Sequence, residues 1–272
     1  MPVASVSNHW PWPAAEATLG PMARKSLKIG LGQVRVAMGD KQANVAELFR
    51  AVAEAARSGC DALVLPECSL AGWLSAAART AAEPVPGPLS RKFGAAARRH
   101  RMAIVVGLEE RDGDRIYNTA VMFDRAGRII GKHRKIDELE IGLRIYSRGT
   151  SLNVFDFEGR ATALTICADS WKPTITDALY GMGARLILSP SAWAVEPGGE
   201  ATNIAWIREA YRQRAAGREL TLIAPNGVGP VTEGPWKGRI LQGNSLVTGS
   251  DGKTLLMGPA NESAILTCEV RA

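Results

Sequence analysis

The 272-residue chain reads as one α/β domain, a mixed β-sheet covered by helices. Three observations predict this. Short aliphatic or β-branched runs of strand length recur along the chain, among them Leu27 to Gln33, Ala62 to Pro66, Met102 to Leu108 and Arg185 to Pro190. Between them lie helically spaced apolar residues and turns of hairpin composition, so strand, helix and hairpin alternate. The length and the 46% hydrophobic content suffice for a full core in a single body.

In order, residues 1 to 21, with His9-Trp10-Pro11-Trp12-Pro13, carry no periodicity, and two prolines block regular structure. A flexible extension is expected there, with a Trp-Pro arm over a neighbouring subunit as the alternative, and the folded domain is expected over 22 to 272. Leu27 to Gln33 is the first strand. Asp40 is the expected N-cap of a helix with Val45, Leu48, Phe49 and Val52 on its apolar face, ending at Gly59. The strand Ala62 to Pro66 then puts Glu67 at its C-terminal end, where α/β proteins place their sites, although a charged turn residue is the plainer reading. A loop over Pro84 to Pro88, a basic helix from Ser90 to His100 and the strand Met102 to Leu108 follow.

Ile116 to Asp124 is expected to pair with Ile129 to His133 across Arg125-Ala126-Gly127-Arg128, with Lys135 just beyond. Leu152 to Phe157 and Ala161 to Ile166 form another hairpin across Glu158-Gly159 and deliver Cys167. Pro173 and Thr174 open a helix to Met182. The strand Arg185 to Pro190 leads into Ser191-Ala192-Trp193, and a helix over Glu200 to Ala216 turns Ile204, Ile207 and Tyr211 inward. Strands near Leu220 to Ala224, Leu241 to Thr248, Lys253 to Met257 and Ala264 to Val270 close the chain, the third after an Asp251-Gly252 turn.

Composition excludes several classes of function. The net charge of +6 comes from helical clusters such as Arg98-Arg99-His100-Arg101, without interleaved aromatics, so no nucleic-acid partner is expected. Cys60, Cys68, Cys167 and Cys268 form no C-x-x-C pair and nothing resembles a secretory leader, which points to reduced thiols and a cytoplasmic protein. No apolar run approaches membrane-span length. Metal-ligand spacing is absent, and Gly30-Leu31-Gly32 lacks the third glycine of a dinucleotide loop, so neither metal nor cofactor is expected.

Chemistry concentrates at Cys167. A β-branched strand running into a proline-marked helix start places it at a bend that holds the sulfur out of the sheet and leaves the Ala168 N–H to face an oxyanion. The alternative is a small buried apolar residue. A papain-type Cys–His pair would need His9, His100 or His133, and the first two lie in the unpatterned arm and on a charged helix.

Glu67, Lys135 and Cys167 each follow a strand. Leu65-Pro66-Glu67, Gly131-Lys132-His133-Arg134-Lys135, Ile166-Cys167-Ala168-Asp169, the run from Gly183 to Ala192, Asn226-Gly227-Val228-Gly229 and Gly243-Asn244-Ser245 resemble, in order and spacing, the blocks of the nitrilase superfamily of carbon–nitrogen hydrolases. The resemblance spans about Leu27 to Val270. It implies a four-layer αββα sandwich that pairs as a homodimer, and a Glu-Lys-Cys triad: Cys167 as nucleophile, Glu67 as general base and acid, Lys135 as the cation favouring the thiolate and, with Ala168 N–H, the oxyanion. A second glutamate that orients the lysine is implied, for which Glu138 and Glu140 compete and Glu140 is preferred.

The residues after the cysteine depart from the familiar amidase run, with Ala168, Trp171, Lys172 and Thr174 at its Tyr, Arg, Phe and Glu positions. Cys167-x-Asp169-x-Trp171-x-Pro173 is closer to the glutaminase domains of glutamine-dependent NAD synthetases. Trp171 and Trp193 are expected to wall the substrate pocket, and His133, on the side of its strand that Lys135 shares, to line it. The implied activity is hydrolysis of a small carboxamide through a cysteine thioester, releasing ammonia or an amine. Nitrile hydrolysis, N-carbamoyl hydrolysis, acyl transfer to an amine and a silent oligomeric relative are the alternatives.

Overall fold

Two sheets lie face to face in the computed structural model, which describes residues 26–270. The expected N-terminal extension over 1 to 21, and the start of the domain, lie outside the described residues. The first half of the chain forms β1 (Leu27–Gln33), α1 (Lys41–Arg57), β2 (Ala62–Val64), α2 (Ala78–Ala81), α3 (Pro88–His100), β3 (Ala103–Asp112), β4 (Arg115–Phe123) and β5 (Ile129–Arg134). The second half opens with β6 (Val154–Phe157), β7 (Arg160–Leu164), α4 (Pro173–Gly181), β8 (Leu186–Leu188), β9 (Ala194–Val195) and α5 (Glu200–Ala215). It ends with β10 (Thr221–Ala224), β11 (Val228–Pro230), β12 (Ile240–Gln242), β13 (Leu246–Thr248), β14 (Thr254–Met257) and β15 (Ala264–Val270).

One sheet runs β15-β1-β2-β3-β4-β5 and the other β14-β13-β10-β8-β7-β6, with a small sheet β11-β12-β9 beside them. Each large sheet has a parallel centre, β1-β2-β3 or β10-β8-β7, flanked by antiparallel strands. Registers such as Leu31↔Val64 and Leu63↔Ile104 align the parallel strands so that their C-terminal ends emerge together.

Alternation along each strand builds the layers. Leu27, Ile29, Leu31, Val64, Val105 and Met122 turn toward the second sheet and join Leu164, Leu186, Leu188 and Leu222 in one core. Leu63, Leu65, Ile104, Val106 and Phe123 turn the other way, onto Leu48 and Val52 of α1 and Phe93 of α3. Each fully buried Leu, Val or Phe of this kind contributes about 1.5–3 kcal/mol of transfer free energy. Helices α4 and α5 cover the outer face of the second sheet through Ile175, Leu179, Ile207 and Tyr211, which completes an αββα order.

Local signals act where the sequence put them. The Asp40 side chain accepts from Ala43 N–H at 3.0 Å and starts α1. Its contact face is narrower than expected: Leu48, Ala51, Val52 and Ala55 are buried, whereas Val45 and Phe49 are only partly so, because alanines make the closest approach. Gly32 belongs to β1, where a Cβ would lie 2.7 Å from Leu65 Cδ2. The expected strand Leu241 to Thr248 is instead two strands in different sheets. Gly243 (φ 68°) and Asn244 (φ 55°) adopt left-handed backbone between them, and Gln33 braces the break by accepting from Ser245 N–H at 2.8 Å.

Candidate active site

The ends of parallel strands from both sheets meet at one point. Beyond β2 the chain runs Leu65-Pro66-Glu67, and beyond β7 it reaches Cys167, which opens a 3-10 turn over Cys167–Trp171. Cys167 has φ 47°, a left-handed backbone that non-glycine residues seldom adopt and that lifts its side chain out of the sheet. The segment leaving β8 fastens both residues: Glu67 N–H donates to Ser191 O at 3.3 Å and Cys167 N–H to Pro190 O at 3.0 Å. Gly107 of β3 permits this convergence, since a Cβ there would lie 2.7 Å from Glu67 Cα and 3.0 Å from Pro190 Cβ.

Lys135 arrives from the first sheet, just past β5, held by its N–H to Asn118 O at 2.9 Å. Its Nζ lies 2.7 Å from Glu67 Oε1, and Asn118 Nδ2 donates to the same oxygen at 2.7 Å. The other oxygen, Glu67 Oε2, is buried without a donor, and so is Asn118 Oδ1; of the two only the carboxylate oxygen is basic enough to take a proton.

The second carboxylate on Lys135 is Glu138, with Oε1 at 3.7 Å from Nζ. Trp73 Nε1 donates to Glu138 Oε1 at 3.2 Å, and Asn118 Nδ2 lies 3.4 Å from Oε2. The preference for Glu140 is therefore corrected, since Glu140 is exposed. The chain does not stay extended after Lys135 but folds toward the 3-10 turn Gly142–Arg144, which carries position i+3 back under the ammonium and i+5 outward. Gly142 makes room, because any Cβ there would collide with the Glu138 carboxylate.

Burial disfavours charge on Lys135, but Glu67 and Glu138 outweigh it and hold the ammonium well above the ordinary lysine range. Burial raises Glu138, with Lys135 opposing. Burial and then the Glu67 charge push the Cys167 thiol up, against the smaller opposing effects of Lys135 and of the Ala192 N–H that donates to the sulfur. The balance of these effects favours the protonated form of the thiol. Lys135 thus favours the ionised sulfur, as expected of a cation there, but burial and the Glu67 charge act against it.

Glu67, Lys135 and Cys167 line one cavity of about 260 Å³. Ala168, Trp171 and Trp193 line it, as do Trp73, Trp206, Trp236, Ala192, Asn203 and Arg239. His133 does not. It lies in β5, two residues before Lys135, under the turn that Cys167 opens, where its Nε2 is 2.7 Å from Asp169 Oδ2. That fully buried carboxylate also accepts from Ile136, Asp137 and Ile166 N–H at 3.2, 2.7 and 3.2 Å, so it joins the lysine segment to the cysteine turn. Trp73, Trp206 and Trp236 were not singled out from the sequence. Gly72-Trp73, six residues past Glu67, was the available signal, since a large aromatic soon after a strand-end carboxylate can reach its site.

The sequence matches the carbon–nitrogen hydrolase family over residues 28–272, and the chain belongs to that family. A bifunctional nitrilase/nitrile hydratase (NIT4A) of Nicotiana tabacum is 30% identical over 174 residues, which cover 56% of this chain and 50% of that protein. An aliphatic nitrilase of Rhodococcus rhodochrous is 25% identical over 174 residues, 58% of this chain and 48% of that protein. The chain spans about half the length of these curated relatives. Among solved structures, an amidase from Nesterenkonia sp. superposes with a TM-score of 0.77 at 21% identity, covering 94% of each chain, and so shares the fold. Among the described residues, no group of three or more His, Cys, Asp or Glu is arranged to hold a metal ion, and no helix is long and apolar enough to cross a membrane.

Proposed function

We propose that this chain is a thiol amidase that hydrolyses a small carboxamide through a thioester on Cys167. The observation that carries the reading is the convergence of Glu67, Lys135 and Cys167 on one cavity, with Glu67 Oε2 free to accept. In the first step Glu67 takes the Sγ proton as sulfur attacks the amide carbon, and the carbonyl oxygen becomes an oxyanion facing Lys135 Nζ and the Ala168 N–H. The C–N bond breaks as Glu67 returns that proton to the departing nitrogen, leaving an acyl-thioester. Glu67 then deprotonates a water that attacks the same carbon, and the proton goes back to sulfur as the carboxylic acid departs.

Nitrile hydrolysis is the second reading. It uses the same nucleophile, and relatives 25–30% identical to the chain are nitrilases. Small aliphatic amides head the test panel because structures of the Nesterenkonia amidase include one in complex with butyramide and one with acrylamide added at its active-site cysteine. Ammonia release is measured across amides and the matching nitriles, and the acyl-enzyme is trapped and weighed intact. Loss of both signals in Cys167→Ala is the expected result, and undiminished ammonia release in that variant removes the assignment.

A homodimer and a cytoplasmic setting belong to the same proposal. Met182 and Trp206, each about half exposed beside the second sheet, offer apolar surface for a second copy, and all four cysteines are free thiols. Light scattering of the purified chain tests the first, and localisation of a tagged copy the second.

A further inference from the structure

Asn118 stands in β4, fully buried, and does not line the cavity. It nevertheless reaches Glu67, Lys135 and Glu138. Its backbone carbonyl accepts from Lys135 N–H at 2.9 Å, which fixes where the lysine leaves the sheet. Its side-chain Nδ2 lies 2.7 Å from Glu67 Oε1 and 3.4 Å from Glu138 Oε2. An amide nitrogen carries two hydrogens, so one nitrogen can serve both carboxylates. The strand beneath it has β3 hydrogen-bonded on one side and β5 on the other, so the backbone that presents this side chain is held in place.

The carboxylates decide which way the amide points. Turned over, it would set Oδ1 against Glu67 Oε1 and Glu138 Oε2, acceptor against acceptor. In the orientation observed Oδ1 is buried with no donor, which costs stability and marks an amide held for its nitrogen end. For Glu67 the consequence is geometric. The last torsion of a glutamate is broad, and a single donor leaves the carboxylate free to turn about that contact. Two donors at 2.7 Å, Lys135 Nζ and Asn118 Nδ2, share Oε1 and so set the direction of Oε2. Lys135 is a poor sole anchor, because its ammonium also lies 3.7 Å from Glu138 and has the oxyanion to meet.

Resting on the amidase reading above, we propose that Asn118 is a positioning residue for the base: its side-chain N–H holds Glu67 Oε1 so that Oε2 stays turned to the proton it must take. Asn118 gains and loses no proton itself and acts through Glu67. One base serves both half-reactions, taking the thiol proton during acylation and the water proton during hydrolysis of the thioester. Loss of the amide therefore slows both steps together. Substrate binding is untouched, since no part of Asn118 lines the cavity.

The test follows single turnovers of a small alkanamide, butyramide first, on the purified full chain, with the acyl mass on Cys167 read by rapid quench and intact-mass measurement. The variants are Asn118→Ala and Asn118→Ser, whose hydroxyl is too short to reach Glu67. In both, the rate constants for gain and for loss of the acyl mass should fall by about 10–10²-fold, part of the ~10²–10⁴ that general-base catalysis supplies. Equal slowing of the two steps leaves KM within about twofold, so the loss falls on kcat. The fraction of protein that acylates should stay near that of the unaltered chain. Rates are read only on protein that acylates, so partial unfolding of a variant does not mask them. A smaller acylating fraction with unchanged rate constants marks a merely structural role and overturns the assignment, as does slowing of one step alone. If the unaltered chain neither turns over an amide nor gains an acyl mass, the amidase reading itself fails and takes this one with it.

Discussion

Replacing Glu67 by Gln separates two roles that a single negative charge plays. The substitution keeps the shape: the amide oxygen can occupy the Oε1 position and still accept from Lys135 Nζ and Asn118 Nδ2, both at 2.7 Å. At an effective dielectric of ~20, the lost Lys135–Glu67 attraction is about 6 kcal/mol and the retained Lys135–Glu138 attraction at 3.7 Å about 4 kcal/mol. Lys135 therefore keeps a counterion, and the loss of stability should stay below the ~3–5 kcal/mol typical of an orphaned buried charge. Turnover should collapse, because no other acceptor is free at the sulfur. General-base catalysis supplies ~10²–10⁴, or about 3–5 kcal/mol of barrier, so kcat/KM for a small amide should fall ~10³-fold or more. Simple alkylation should move the opposite way. The Glu67 charge is one of the causes that raise the thiol, so removing it lowers the Cys167 pKa, and each unit of that shift gives about tenfold more thiolate at a fixed pH below it. Ammonia release and iodoacetamide labelling read by intact mass check the pair. Comparable slowing of both, or retention of more than about a tenth of wild-type turnover, refutes the assignment of Glu67 as the proton acceptor.

Glu138→Gln removes the second carboxylate from Lys135 and should lower kcat/KM by about 10–10², whereas Glu140→Gln at the surface should stay within about twofold; amide-hydrolysis kinetics on the two variants decide between them. Asp169→Ala removes an acceptor that serves three backbone N–H groups and His133 at full burial. Even at ~1 kcal/mol each this exceeds 3 kcal/mol, so the melting temperature should drop by more than about 6 °C in calorimetry. Glu109 accepts from Leu70 and Ala71 N–H at 3.1 Å under the Trp73 loop, and burial raises its pKa to about 7. Between the unfolded value of 4.5 and about 7 the folded state binds the extra proton, so stability falls as pH rises through that window, by about 3 kcal/mol in all, and levels off above it. Glu109→Gln should flatten that slope, and the difference between wild-type and variant melting temperatures from pH 4.5 to 8 measures it.

Much of this architecture was legible because it is local. Leu27 to Gln33 forms the expected strand, Asp40 caps the expected helix, and the hairpin joining β4 to β5 sits where Arg125-Ala126-Gly127-Arg128 put it. What stayed hidden is long-range. Nothing in Ala264 to Val270 announces that it pairs antiparallel with β1 along seven residues, because register between distant strands depends on which edge remains open after the rest has folded. The interruption of Leu241 to Thr248 was obscured because its cause, the side chain of Gln33, lies more than two hundred positions away. The small sheet was missed for a related reason: β9 and β11 are two and three residues long and carry no period to count.

The candidate site shows the same division, and its misread parts lead to a claim about mechanism. Strand-end residues were readable, since a carboxylate, a lysine and a cysteine that each terminate an apolar run stand out. Which glutamate turns back under Lys135 was not, because the 3-10 turn that decides it depends on packing around Gly142. Sequence displays the cation near the sulfur but not the depth at which both are buried. At that depth the governing quantity is total charge. Moving the proton from Cys167 sulfur to Glu67 leaves the cluster's net charge unchanged, whatever Glu138 carries, whereas expelling it to solvent would add an anion to a buried site. A thiol that reacts only as its proton crosses to Glu67 avoids that desolvation cost, and Lys135 then meets its new negative charge on the substrate oxygen, where the barrier is lowered, instead of on the resting sulfur.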